Sequence, residues 1–288
     1  MDILKKGCLV HLCCSIWGGR IKLPQQAIHV AADPAFVNAT KHLLDRDCLR
    51  PITQIRNKAK GYIYAKTLPF AIPGMLFIPK EMISEVDSQL KIFEAEINDA
   101  VDTFVLQYDT YKAEAMGKLN GLYNPLDYPD DIRTHFSFAW KFLVLDAPSR
   151  SHLLSPEIYE NEKRKFQETI DDFRVTATNA LRTKFADMVN RVVERLSGEK
   201  KVFKDTLISN IDTFLNDFDQ LNINSDVELS GLTKQCRDII RGANVDAIRT
   251  DDMLRSKTAS DMSTVQGALN SMMRDRPVRK LTSLRKTA

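Results

Sequence analysis

Apolar residues recur through one long proline-free stretch at Met82, Val86, Leu90, Phe93, Ile97, Val101, Phe104, Tyr108, Tyr111 and Ala115. The mean step of about 3.67 residues is the spacing of an eleven-residue repeat, which keeps a narrow apolar stripe on a straight or slightly right-handed helix. At 1.5 Å per residue, residues 80–117 make a helix about 57 Å long. A second stripe runs through Phe166, Ile170, Phe173, Ala177, Leu181, Phe185, Met188, Val192 and Leu196. Its segment is opened by Ser155-Pro156-Glu157 and closed by Gly198, a start and a stop signal for a helix. Two helices of matching length with one stripe each are expected to pair antiparallel, 80–117 against 155–197. The predicted fold class is therefore mainly α: a long antiparallel helical hairpin, a coiled-coil-like stalk, with a small β element at its base and a small aromatic-rich tip.

The segments before the stalk read as an amino-terminal lobe, residues 1–79. Residues 8–16 alternate as a buried strand does, and Gly18-Gly19 marks a turn after it. Asp33-Pro34 opens a helix to about Leu44, and Asp47 to Pro51 opens another to about Thr67. Pro69, Pro73 and Pro79 forbid a helix through KTLPFAIPGMLFIPKEM, and Pro73-Gly74 places a turn between LPFAI and MLFI. A short hairpin packed on the first strand results, because a lone two-stranded hairpin is unstable in water. Pro69 to Pro79 contains no ionisable side chain, so this stretch reads as a clasp at the base of the stalk and not as a pocket.

Residues 118–154 then become the tip, and HFSFAWKFLVLDAP within them fits two periodicities. Phe136, Phe138, Trp140, Phe142 and Val144 alternate as a strand, whereas Ile132, Phe136, Ala139 and Leu143 follow a helix. These aromatics either close a small head core with Leu119, Leu122, Tyr123, Leu126 and Tyr128, or form an exposed patch. As a patch, Phe136, Phe138, Trp140 and Phe142 are the candidate partner-binding residues, since exposed aromatic clusters mark interfaces. Helices over 201–221 and 226–241 and a further helical segment to 271 are expected to pack on the base, giving a carboxy-terminal region of residues 198–271.

The last stretch, residues 272–288, is a basic tail. It carries Arg274, Arg276, Arg279, Lys280, Arg285 and Lys286 against the single acid Asp275, a charge of +5. The chain totals +3, which leaves the first 271 residues at −2. A basic tail on a slightly acidic body has the electrostatic form of a contact with nucleic acid or with an acidic partner, and those six residues are its candidates.

No catalytic constellation accompanies this architecture. G-x-x-x-x-G-K-[ST], G-x-G-x-x-G, H-E-x-x-H and G-x-S-x-G do not occur. The acid pairs Asp130-Asp131, Asp171-Asp172 and Asp251-Asp252 are adjacent in sequence, so their side chains point apart on a helix. Five cysteines, three of them between Cys8 and Cys14, make no usual disulfide framework and are read as reduced thiols. A zinc site at Cys8, His11, Cys13 and Cys14 is disfavoured because an alternating strand puts Cys8 and Cys14 on one face and His11 and Cys13 on the other. No enzyme activity, metal or cofactor is expected. The longest apolar runs fall short of the ~20 residues of a spanning helix, and GCLVHLCCSIW lacks an A-x-A cleavage site, so the expected location is cytoplasmic.

GCLVHLCCSIWGGRIKL, IRNKAKGYIYAKTLPFAIPGMLFIPKEM with the long helix after it, and NVDAIRTDDMLRSKTASDM together resemble an uncharacterised family of helical proteins from bacteria, phages and mobile elements. Members of that family are often encoded beside a MoxR-type AAA ATPase, similar to the cobalt-chelatase ATPase subunit, and a von Willebrand factor A protein. The resemblance implies a setting and protein partners and assigns no catalytic residue. Three functions stand beside it. The leading one is a non-enzymatic scaffold or adaptor acting with the AAA ATPase. The second is a DNA-associated coiled-coil protein using the basic tail, with the stalk mediating homo-oligomerisation. The third is a helical pore-former whose aromatic tip enters a membrane.

Overall fold

The long stripe of residues 82–115 is buried as its spacing requires in the computed structural model, which describes residues 2–24, 33, 36–146, 154–197, 205–241 and 245–274. In chain order the elements are β1 (Gly7–Ser15), β2 (Arg20–Lys22), β3 (Thr40–His42), α1 (Arg50–Lys66), β4 (Leu68–Pro69), β5 (Leu76–Pro79), α2 (Ile83–Leu119), β6 (Ser137–Leu143), α3 (Pro156–Leu196), α4 (Asp205–Leu221), α5 (Val227–Arg241), α6 (Val245–Thr250) and α7 (Asp252–Arg274). The chain is mainly helical, and no described helix is long and apolar enough to cross a membrane. Its elements belong to two compact units. One comprises residues 8–66 and 74–144, and the other residues 1–7, 67–73 and the chain from 145 onward.

In the amino-terminal unit, α2 is the spine. Val86, Leu90, Ile97, Val101 and Phe104 are almost wholly inaccessible on it. They are covered from three sides. α1 brings Ile52, Ala59 and Ile63, and its Tyr62 ring meets Phe93 edge-on at 6.0 Å. β6 brings Phe136 against Phe104 at 5.5 Å, and Trp17 beyond β1 sets its indole edge-on to Tyr108 at 6.0 Å. Lys66 at the end of α1 is buried, and its ammonium meets the Glu85 carboxylate at 2.9 Å. β1 lies between β5 and β6, and pairs antiparallel with β6 from Leu9↔Leu143 to Ser15↔Ser137. Opposed residues of such a ladder share a face. Cys14, Leu12 and Val10 therefore lie with Phe138, Trp140 and Phe142 toward α2, and His11 and Cys13 with Lys141 and Ala139 away from it.

The other unit is built on α3. Phe70, next to β4, lays its ring on Phe173 at 4.9 Å, and Phe185 stacks on Phe214 of α4 at 5.4 Å. α7 covers the rest through Arg255, Thr258, Met262, Val265, Leu269 and Met272, all buried and spaced alternately by three and four residues. That is a coiled-coil seam. Arg255 donates to the carbonyls of Leu196 at 3.1 Å and Arg195 at 2.6 Å, while Gln266 reaches Asn190 at 2.8 Å, so α7 runs back along α3. The buried guanidinium thereby satisfies carbonyls that the end of α3 leaves unpaired, where a cation also suits the helix dipole. Asp226 caps α5 through the Leu229 N–H at 3.1 Å and is clasped by Arg182 of α3 at 2.7 Å.

Each of the two long stripes is covered by helices of its own unit, that of α2 by α1 and that of α3 by α4 and α7. Within residues 118–154, expected as a stalk tip, β6 pairs with β1 in the sheet of the amino-terminal lobe. The helix expected from Asp33 to Leu44 is replaced, over its described carboxy-terminal part, by β3.

Burial raises three acid groups in these cores. The thiol of Cys236, 3.9 Å from the Met262 sulfur, is pushed up to about 12, and the Tyr108 and Tyr128 hydroxyls, both buried, also rise to about 12. The folded chain thus keeps protons that the unfolded chain releases from about pH 9.0 for cysteine and 10.0 for tyrosine. Their contribution to stability is complete below those values and is lost as pH rises toward 12. The urea midpoint is expected to fall steadily across that window. A flat midpoint would show that the three groups ionise as freely in the folded state as in the unfolded one.

Candidate functional site

The expected partner patch is the inward face of β6. Phe138 is 8% exposed, Trp140 is half-buried and donates its indole N–H to Asp87 on α2 at 2.9 Å, and Phe136 and Phe142 are half-buried. Phe136 and Trp140 meet the spine at Phe104 and Asp87, whereas Leu122 and Leu126, expected to close a head core with them, are exposed. Asp87 is held below the usual carboxylate range first by Lys91 and then by this indole. β6 itself is the edge strand of its sheet among the described residues, and Val144 beyond it is 83% exposed.

The cysteine cluster divides as strand alternation requires. The Cys13 sulfur is 3.4 Å from His11 Nδ1 on the outer face, and burial raises the Cys8 and Cys14 thiols on the inner one. Among the described residues no three His, Cys, Asp or Glu side chains gather as metal ligands do. Of the basic tail, Arg274 ends α7, while Arg276, Arg279, Lys280, Arg285 and Lys286 lie outside the described residues.

A concave site appears where the sequence indicated only a turn. Gly19 has φ +55°, a conformation that L side chains rarely adopt, and it stands directly before β2 in the segment that links it to β1. Its carbonyl accepts the Leu43 N–H at 2.8 Å, extending the β2–β3 ladder in which Arg20 stands opposite His42. The two side chains therefore share a face. From the other side, Arg46, Leu49, Thr53 and Arg56 recur at helical spacing along the turn before α1 and its first turns. Between these walls lies a cleft of about 350 Å³, lined by Trp17, Arg20, His42, Arg46, Thr53 and Arg56 among others.

The charge of this cleft is net positive, three arginines against one carboxylate, Asp45. Arg46 donates to His42 Nε2 at 2.9 Å, so the histidine nitrogen facing it is the unprotonated one, and Arg56 leans on the Asn57 amide oxygen at 3.1 Å. Asp45 forms no ion pair with these arginines among the described residues; it is engaged by the Asp47 N–H that it caps and by Lys118 at 3.3 Å, and these hold its carboxyl low in that order. Three guanidiniums beside a hydroxyl and an indole form a receptor for an anion, since a planar guanidinium matches carboxylate and phosphate oxygens. The signals in the sequence were the helical spacing of Arg46, Thr53 and Arg56 and the arginine directly after Gly18-Gly19.

A Cβ at position 19 would stand 3.4 Å from Leu49 and 3.5 Å from the Trp17 ring. Gly19→Ala is therefore expected to destabilise the chain by about 1–2 kcal/mol, through the left-handed backbone as well as the crowding. Thermal melting measures it, and an unchanged melt would mean that position 19 does not hold the left-handed, crowded backbone described.

Neither a search of curated proteins nor one of solved structures found a match to the chain. A family model described as protein of unknown function (DUF3150) matches residues 4–196, spanning the amino-terminal unit and ending with the last residue of α3. With two thirds of its length so matched, the chain belongs to the DUF3150 family.

Proposed function

We propose that the protein is a non-enzymatic adaptor that works in a complex with a MoxR-type AAA ATPase and docks a protein partner along β6. The observation that carries this reading is the position of β6 at the edge of its sheet. A strand there presents unpaired N–H and C=O groups, the template on which an extended segment of another chain adds as a further strand. The aromatics of Phe136 to Phe142 hold this edge rigid by their grip on α2. Ser137, Ala139, Lys141 and Leu143 are exposed on its outer face, where a partner's side chains would lie. The ATPase and the von Willebrand factor A protein enter from the family resemblance.

Ala139→Asp with Leu143→Asp changes the outer face and leaves the inner one intact. Capture of the ATPase encoded beside the gene is expected to fall at least about tenfold, which is ~1.4 kcal/mol of association, with the melt unchanged. Undiminished capture by a folded variant would remove β6 from the contact, and no capture by the unaltered chain would remove the ATPase.

A further inference from the structure

We infer that the arginine-lined cleft is a binding site for a small phosphate monoester carrying a planar ring, the chemistry of a nucleoside monophosphate. Charge comes first. Arg20, Arg46 and Arg56 place three permanent positive charges around one cavity whose lining holds a single carboxylate, Asp45, itself drawn to Lys118 at 3.3 Å. A phosphate monoester is a tetrahedral dianion with three acceptor oxygens, so it meets several guanidiniums at once, whereas a single carboxylate would leave most of this charge unmet. The Thr53 hydroxyl adds a further donor on the same wall.

The volume and the apolar wall then argue for more than a bare anion. About 350 Å³ lies within the range of small-molecule sites and exceeds what inorganic phosphate fills. Trp17 is half-buried in the wall, and its indole is held edge-on by Tyr108 at an interplanar angle of 85°. An aromatic side chain fixed beside a cluster of arginines offers a stacking surface to a base whose phosphate the arginines hold. Gly19 lies close to both Trp17 and Leu49 here, so its left-handed backbone helps to set the distance between the ring wall and the charged wall.

The test is a fluorescence titration. The chain has two tryptophans, so Trp140→Phe leaves Trp17 as the reporter. AMP is expected to change the Trp17 emission saturably below about 1 mM, with inorganic phosphate and adenosine each at least about tenfold weaker. Arg20→Ala with Arg56→Ala, two side chains at the cleft surface, should weaken AMP at least about a hundredfold with an unchanged melt. The proposal is overturned if AMP gives no saturable change, if phosphate or adenosine alone matches it, or if the folded double variant binds as well as the parent. Isothermal titration of the unaltered chain with AMP gives the same decision without substitution at Trp140. Neither measurement involves the ATPase, so its outcome is independent of the β6 reading.

Discussion

The antiparallel ladder between β1 and β6 is the constraint on which the amino-terminal unit depends. It joins the first strand of the chain to one that follows the long helix, and the entropy of closing so large a loop must be offset by what the closure buries. The offset comes from the side chains that the register turns toward α2. Val10 is wholly inaccessible, Phe138 nearly so, and Trp140 adds its hydrogen bond to Asp87. A slip of one residue would turn Phe138, Trp140 and Phe142 to the outer face and bring Ser137, Ala139 and Lys141 to the spine. The register is therefore set by the alternation of aromatic and small or charged residues along β6.

The cleft inherits its geometry from the same ladder. Four residues beyond β1 Gly19 takes its left-handed backbone, and β2 leaves with Arg20 opposite His42. α1, which supplies Arg56 and Thr53, is fixed by Ile52, Ala59 and Ile63 on the spine and by the Lys66–Glu85 ion pair. Tyr128, from the segment leading to β6, ties β3's neighbour Leu43 down through a 2.7 Å hydrogen bond to its carbonyl. The charged groups of the cleft are thus held by packing behind them, and the one carboxylate of its lining, Asp45, is drawn to Lys118, an arrangement that leaves the arginines able to meet an anion.

Periodicity made the helices and the first strand legible and was silent on which elements pair. The stripes of α2 and α3 are buried over most of their expected positions, with Val189 in place of Met188, and the Ser155 cap and the Pro73-Gly74 turn stand where their chemistry puts them, Gly74 at φ +81°. The seam of α7 was hidden because it opens with Arg255 and Thr258, polar residues that are buried only because backbone carbonyls receive them. The aromatic run was ambiguous on its own, and pairing with β1, a long-range event, settled it as a strand. The cleft left the weakest trace, since its arginines come from two separate segments, β2 and the run from Arg46 into α1, that only the fold brings together.

Hydrogen exchange across β1 and β6 tests this account most directly. The amides that bond the two strands are expected to be protected alike and to open together, with free energies close to that of unfolding the whole amino-terminal unit. Fast exchange throughout Ser137–Leu143, with β1 still protected, would show that β6 does not pair with β1, and the unit, its edge and its cleft would lose their common support.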